Sequence, residues 1–227
     1  MTTRPLAVLS FSGGMDSTTL AAYYAAQDYD LLLLSFDYGQ RHARELDSAR
    51  QVAAHFGAEH HVVDLSTVGA LMPGSALTDA AVAVPDGHYA EESMRATVVP
   101  NRNAIMANIA VGIASARGAK VVALGIHAGD HAVYPDCRPE FLHGLQYSVD
   151  RALDGFHTPR IEAPFINESK TWIASRAAEL DAPLHLSWSC YKGGELHCGT
   201  CGTCTERKEA FEDAGVYDPT DYAEAGR

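Results

Sequence analysis

Basic side chains are scarce in this chain. Its 17 Lys and Arg stand against 29 Asp and Glu, a formal net charge of -12. A mainly electrostatic grip on nucleic acid needs clustered Lys and Arg to displace counterions, so nucleic-acid binding is not expected. Long apolar runs are missing too. The longest unbroken run of Val, Ile and Leu is Leu31 to Leu34, far short of the roughly 18–20 apolar residues of a membrane span. The start, Met1-Thr2-Thr3-Arg4-Pro5, has no apolar core followed by a small-residue cleavage site, and the cytoplasm is the expected compartment. There is no internal repeat and no low-complexity segment. Hydrophobic residues at 47% and charged residues at 20% of 227 positions describe an ordinary globular protein, large enough to bury a core without disulfides. Cysteine is sparse and uneven: Cys190, Cys198, Cys201 and Cys204 crowd the C-terminal region, while Cys137 sits alone.

The apolar pattern alternates between strand and helix. Leu6 to Phe11 reads as a buried strand, Asp16 to Ala26 as a helix, and Leu31 to Phe36 as a second strand. Arg41 to Phe56 carries Leu46, Ala49, Val52, Ala53 and Phe56 at near-helical spacing, stopped by Gly57. His60 to Leu65 is a third strand. This β-α-β-α-β order predicts a parallel sheet with helices on both faces. Ser66 to Pro100 is weakly patterned. Asn101 to Gly118 reads as a buried helix facing inward through Ile105, Ile109, Ile113 and Ala116, and Lys120 to Ile126 as a fourth strand. Phe141 to Leu153 is an amphipathic helix, Arg160 to Phe165 a fifth strand, and Ser169 to Leu180 a helix with Trp172, Ile173, Ala177 and Leu180 inward. From about Pro183 the character changes to a compact cysteine-bearing tail.

Ser12-Gly13-Gly14-Met15-Asp16-Ser17 lies between the first strand and the first helix. A helix N-terminus offers unpaired N–H groups and the positive end of the macrodipole, and glycines let the backbone approach an anion. The Ser12 and Ser17 hydroxyls can donate to phosphate oxygens. Asp16 is out of place beside a phosphate unless it caps the helix or helps hold Mg2+. No Lys follows the glycines, which excludes the mononucleotide loop G-x4-G-K-[ST], and G-x-G-x-x-G is absent. The string resembles the pyrophosphate loop of the ATP pyrophosphatase superfamily. That resemblance implies a grip on the β- and γ-phosphates and chemistry at the α-phosphate, where an acyl or amide oxygen attacks and pyrophosphate leaves.

The tail spacing is C-x7-C-x2-C-x2-C. Each C-x2-C can point two thiolates at one ion, and four thiolates close a tetrahedral, structural zinc site. An iron–sulfur cluster is the rival, since ferredoxins use a similar run. His197, beside Cys198, is an alternative ligand.

Several polar loops are predicted at the C-terminal ends of the strands, where open parallel sheets bind ligands. They are Phe36 to His42, Pro100 to Asn103, and Gly125 to Pro139. Asn101 can equally be a helix cap, Arg102 and Arg138 surface partners, Asp130 and Asp136 turn residues, and His127 a packed histidine. Lys170, in the first turn of a helix, opposes the macrodipole and hints at a nearby anion.

These residues together resemble the 7-cyano-7-deazaguanine synthases of the queuosine pathway, over about residues 6 to 215. The resemblance is carried by F-S-G-G-M-D-S-T-T, F-D-Y-G-Q-R-H, P-N-R-N, Y-P-D-C-R-P-E-F and the cysteine tail. It implies a Rossmann-like α/β fold of the adenine nucleotide alpha hydrolase (HUP) kind, with a PP-loop domain over 1–182 and a zinc-binding region over 183–227. It implies an ATP-dependent ligase that adenylates 7-carboxy-7-deazaguanine, lets ammonia displace AMP, then adenylates the amide and eliminates AMP to leave a nitrile. ATP with Mg2+ as co-substrate, one structural Zn2+ per chain and a homodimer follow from the same likeness. Asp16, Lys170 and Arg138 are the expected catalytic residues. Phe11, Ser12, Gly13, Gly14, Met15, Asp16, Ser17, Thr18, Thr19, Leu20, Ala21, Phe36 and Arg102 are expected around ATP. Tyr38, Gln40, His127, Asp130, Tyr134, Asp136 and Arg138 are expected around the deazaguanine, and Cys190, Cys198, Cys201 and Cys204 around the metal. The rivals are a related enzyme that attaches the activated acid to a protein, a tRNA-modifying adenylating enzyme, and a non-enzymatic nucleotide-binding or zinc scaffold.

Overall fold

The computed structural model describes residues 4–40, 44–79, 81–82, 84, 86 and 94–223. Arg41 and His42 of the F-D-Y-G-Q-R-H motif, and with them the expected start of the second helix, lie outside these residues. Five strands form one sheet: β1 Leu6–Ser10, β2 Asp30–Asp37, β3 Glu59–Asp64, β4 Val121–Ala123 and β5 Arg160–Glu162. Every pairing is parallel, and the order is β3-β2-β1-β4-β5. The chain steps outward from β1 to β3, then crosses back to β4 beside β1. The C-terminal ends of β1 and β4 therefore flank the switch point, where such sheets hold ligands.

Among the described residues the α-helices are α1 Met15–Ala25, α2 Arg44–Phe56, α3 Ser66–Ala70, α4 Arg102–Arg117, α5 Pro139–Ala152, α6 Lys170–Glu179 and α7 Gly202–Ala214. Because successive strand residues point to opposite faces, each strand feeds two cores. Ala7, Leu9, Leu31, Leu33, Val121 and Ala123 face α1, α2, α6 and α7. Val8, Leu32, Leu34 and Val122 face α4 and α5. Fully burying each leucine contributes about 1.5–3 kcal/mol, so the four consecutive leucines of β2 make it a central strand. The expected α/β sheet covered on both faces is present.

Three details differ from the sequence reading. The buried face of α4 is Ala104, Met106, Ala107, Ala110, Val111 and Ala114; Ile109 and Ile113 are only partly buried at its flank, and Ala116 is exposed. Small side chains let the helix axis approach the sheet closely, which an isoleucine ridge would prevent. Trp172 was expected inward but is 37% exposed, with its ring resting on Phe165 at 5.6 Å. Finally, β3 is an edge strand and mostly exposed, since only β2 pairs with it.

Candidate active site and metal centre

The loop after β1 turns through Gly13, whose φ is +81°. Its carbonyl accepts from the Trp188 N–H at 2.9 Å and from Ser48 Oγ at 3.1 Å, so the loop is held from both the tail and α2. Ser17 Oγ accepts from the Gly13 N–H and donates to the Gly14 carbonyl, each at 3.1 Å. Ser12 Oγ accepts from the Gly14 N–H at 3.2 Å. These hydroxyls stand where the oxygens of an anion would meet the same N–H groups. No side chain caps α1 at Gly14, which leaves its first-turn N–H groups for a ligand. Thr18, Thr19, Leu20 and Ala21 are fully buried one turn further on and support the helix without lining the cavity.

Beside the loop lies a compact charge cluster. The first turn of α6 begins at Ser169, whose side chain accepts from the Trp172 N–H, and this cap aims Lys170 inward. Lys170 Nζ is 2.6 Å from Asp16 Oδ2, 3.6 Å from Glu206 Oε2 and 3.4 Å from His127 Nε2. Burial disfavours the Lys170 charge, but Asp16, Glu206 and Asp130 outweigh it and raise its pKa. Burial likewise opposes ionisation of Asp16, and Lys170 reverses that to hold its pKa below the ordinary carboxylate value. Glu206 is pushed up by burial despite Lys170. His127 Nδ1 accepts from the Gly129 N–H at 3.1 Å, and Asp130 Oδ2 accepts from the His127 N–H at 3.2 Å. In the neutral ring that places the proton on Nε2, inside the cluster. Asp16 Oδ1 is buried and, among the described residues, has no hydrogen-bond partner. An unsatisfied carboxylate oxygen at the mouth of a phosphate loop fits a hard divalent cation such as Mg2+, which takes oxygen ligands.

The loop and cluster open into a cavity of about 260 Å³. Its wall includes Phe11, Ser12, Gly14, Met15, Asp16, Ser17, Phe36, Tyr38, Gln40, Arg102, Asp130, Tyr134 and Lys170, all named from sequence. Part of the wall is aromatic and charged. Arg102 donates to the Tyr38 hydroxyl at 3.2 Å, and Tyr134 shares a 2.7 Å hydrogen bond with Thr97. Gln40 folds back on its own loop: its Oε1 accepts from the Tyr38 N–H, and its Nε2 donates to the Phe36 carbonyl.

Asp136 and Arg138 do not line the cavity. Asp136 Oδ2 accepts from the Asn103 N–H at 2.9 Å and Oδ1 from Asn103 Nδ2 at 3.3 Å, so this carboxylate caps α4 from a separate segment. Arg138 is exposed and donates through Nε to the His131 carbonyl. The expected pairing of Arg138 with reacting groups does not match that position. Gly13 and His127 also sit just behind the wall. Asn101 adopts a left-handed conformation, φ +59°, before α4, with no side-chain cap bond.

Sequence reasoning missed several wall residues: Glu45, Tyr191, Trp188 and Arg207. Burial pushes Glu45 up to about 7, against the pull of Arg102. Glu206 was missed as well. Acidic residues in a first helical turn, such as Glu45, are read as dipole partners, and Glu206 lies in the cysteine tail. Neither carried a signal of its own.

In the tail, the four sulfurs of Cys190, Cys198, Cys201 and Cys204 lie within 4.8 Å of one another, and Cys198 Sγ is 3.9 Å from Cys204 Sγ. Four sulfurs about 2.3 Å from a tetrahedral zinc would be about 3.8 Å apart, so the set fits. Backbone N–H groups of Lys192 and Cys198 point at the Cys190 sulfur, and those of Thr200 and Cys201 at the Cys198 sulfur. His197 is turned elsewhere: its Nε2 accepts from the Ser189 N–H, and its ring lies 4.1 Å from Trp188. Arg207, 1% exposed, ties the tail together. It donates to Ser187 Oγ, Ser189 Oγ, the Leu184 carbonyl and Asp218.

Comparison with known proteins shows the family and the fold. The family model described as queuosine biosynthesis protein QueC matches residues 6–215. A 7-cyano-7-deazaguanine synthase of Paracoccus denitrificans (strain Pd 1222) is 55% identical over 214 residues, covering 94% of this chain and 91% of the relative. One of Rhizobium meliloti (strain 1021) is 56% identical over 211 residues, covering 93% and 89%. Among solved structures, the U34-tRNA thiolase NcsA from Methanococcus maripaludis, with its [4Fe-4S] cluster, superposes with a TM-score of 0.50 at 15% identity. It covers 93% of this chain and 66% of that one, a likeness of fold alone.

Proposed function

Because the chain belongs to the QueC family of queuosine biosynthesis proteins, we propose that it converts 7-carboxy-7-deazaguanine and ammonia to 7-cyano-7-deazaguanine, driven by ATP. In this reading it is a ligase that forms a C–N bond through an adenylated acid, then removes the amide oxygen through a second adenylation. The observation that carries it is one cavity whose wall holds both an uncapped helix N-terminus and a set of aromatic and charged side chains. Those two features suit a triphosphate and a planar base.

The residues divide the work as follows. Ser12, Gly13, Gly14 and Ser17 hold the pyrophosphate. Asp16, with its free Oδ1, holds Mg2+, which supplies positive charge to the phosphates when bound. Phe36 borders the adenosine. Lys170 is kept protonated by its carboxylate neighbours and offsets charge developing at the α-phosphate. Fixed donors of this kind act most strongly in a site shielded from water. Asp130 borders the same space and fixes the His127 backbone. The same phosphate chemistry turns an acid oxygen and then an amide oxygen into a leaving group, so one site serves both steps. One structural zinc on the four thiolates organises the region 183–227 against a PP-loop domain over 1–182. A cytoplasmic homodimer acting on small molecules completes the proposal.

The test is direct. Purified protein is incubated with Mg-ATP, the acid and an ammonium salt, and the products are weighed by mass spectrometry. The expected product has the mass of acid plus ammonia less two waters, with AMP and pyrophosphate released. AMP release without nitrile would reassign the acceptor. No AMP across candidate acids would refute the proposal.

A further inference from the structure

We infer that Glu45 and Arg102 together read the six-membered-ring edge of the deazaguanine, Glu45 accepting from its N1–H and 2-amino group while Arg102 donates to its O6. The inference rests on the proposed substrate and adds which residues select it.

Glu45 stands at the start of α2 and Arg102 at the start of α4, and both face the cavity. They share one cavity wall, and the Arg102 charge opposes the upward push that burial gives Glu45. Among the described residues, no protein donor bonds that carboxylate. Arg102 gives one N–H to Tyr38 and has further donors available on its guanidinium. A carboxylate lining a desolvated wall without donors is unfavourable, and the upward push on its pKa expresses this. Two N–H groups from a ligand would relieve it.

The other acids near the cavity are committed. Asp136 is bonded through both oxygens to Asn103. Asp16 is paired with Lys170. Asp130 accepts from the His127 backbone. Of the three acids in the cavity wall, Glu45 is the one with no protein donor or ion-pair partner among the described residues.

The order of groups decides between bases. A guanine-type edge presents acceptor, donor, donor in a row: O6, N1–H and the 2-amino group. An arginine beside a carboxylate presents donor, acceptor, acceptor, its complement. An adenine edge presents one amino donor next to an acceptor nitrogen, so one carboxylate oxygen would face a lone pair. The rings of Tyr38, Tyr134 and Tyr191 add flat apolar faces around the same position.

The experiment measures calorimetric binding of 7-carboxy-7-deazaguanine and of its analogue lacking the 2-amino group, to zinc-loaded wild type and to Glu45→Gln. Nitrile formation is assayed on the same preparations. Hydrogen bonds to a charged group predict that wild type binds the analogue roughly 10- to 100-fold more weakly than the substrate. The Glu45→Gln variant should bind the substrate more weakly by a similar factor, lose most of the discrimination, and keep its ATP affinity within about twofold. Undiminished discrimination in the variant, or none in wild type, overturns the inference. So does a loss of ATP affinity, which would assign Glu45 to the adenine. The wild-type comparison stands even if the variant does not fold. Nitrile failing to form while discrimination persists would remove the proposed reaction and leave the base reading in place.

Discussion

Alanine at Gly13 is expected to lift the phosphate loop off its support, whereas alanine at the neighbouring Gly14 is expected to be tolerated. Gly13 sits at φ +81°, and a Cβ there would lie 2.6 Å from Ala49 N and 2.7 Å from the Glu45 carbonyl oxygen. Both are backbone atoms of α2 and cannot rotate aside. Left-handed backbone costs an L-residue about 1–2 kcal/mol, and overpacking typically adds about 1–3 kcal/mol. Moving the loop also breaks the bonds from Trp188 N and Ser48 Oγ to the Gly13 carbonyl, about 0.5–1.5 kcal/mol each. Gly13→Ala should therefore lose roughly 3–8 kcal/mol. At about 2–4 °C per kcal/mol for a chain of this size, Tm falls by at least about 6 °C. Gly14 has φ -78°, and its Cβ would meet Ser12 Oγ at 3.2 Å, the end of a short side chain that can turn. There the loss of unfolded-state freedom favours alanine by about 0.4–1 kcal/mol, offsetting the shift of Ser12. Its Tm should stay within about 3 °C of wild type. Calorimetric melting of the two zinc-loaded variants in one buffer settles the matter. Equal melting temperatures would show that the close approach of loop and α2 is not what requires glycine.

Arg207→Met is expected to lose about 3–5 kcal/mol, because it strands the buried acceptors of the guanidinium; a urea midpoint near wild type would contradict this. Cys201→Ser should abolish bound zinc by elemental analysis and lower Tm, as should a strong chelator on the native chain, and an unmoved Tm would argue against a structural metal. The ligand-free fold should also register Glu45 as pH changes. A carboxyl held up to about 7 contributes stability that is complete below its unfolded value of about 4.3 and is lost as pH rises through about 7. The Glu45→Gln variant should therefore gain Tm relative to wild type across that window and hold the gain above it; parallel curves would refute the assignment.

Local signals were legible and composite ones were not. The leucines of β2 and the glycine loop each announce themselves within about ten residues, because strand period and phosphate-loop chemistry are short-range. The four cysteines needed only their spacing, and the structure brings their sulfurs together. The aromatic part of the cavity wall draws on residues as far apart as Tyr38 and Tyr191, and no window of sequence shows that they share it. The loop from Gly125 to Pro139 was placed correctly beyond β4, yet Asp136 and Arg138 turned out to serve the backbone. Position at a sheet edge does not say which way a side chain faces. In α4 the eye follows isoleucines, while the contact is made by alanines.

Chains are made from the N-terminus and fold in that direction as they emerge. All five strands, the phosphate loop and Lys170 precede Pro183. Trp188, which holds the Gly13 carbonyl, and Glu206, which completes the charge cluster, come after it, in the segment that carries the four clustered cysteines. A chain still on the ribosome can thus own a finished sheet without a finished active site. In chain order, the sheet precedes two of the contacts that complete the candidate site.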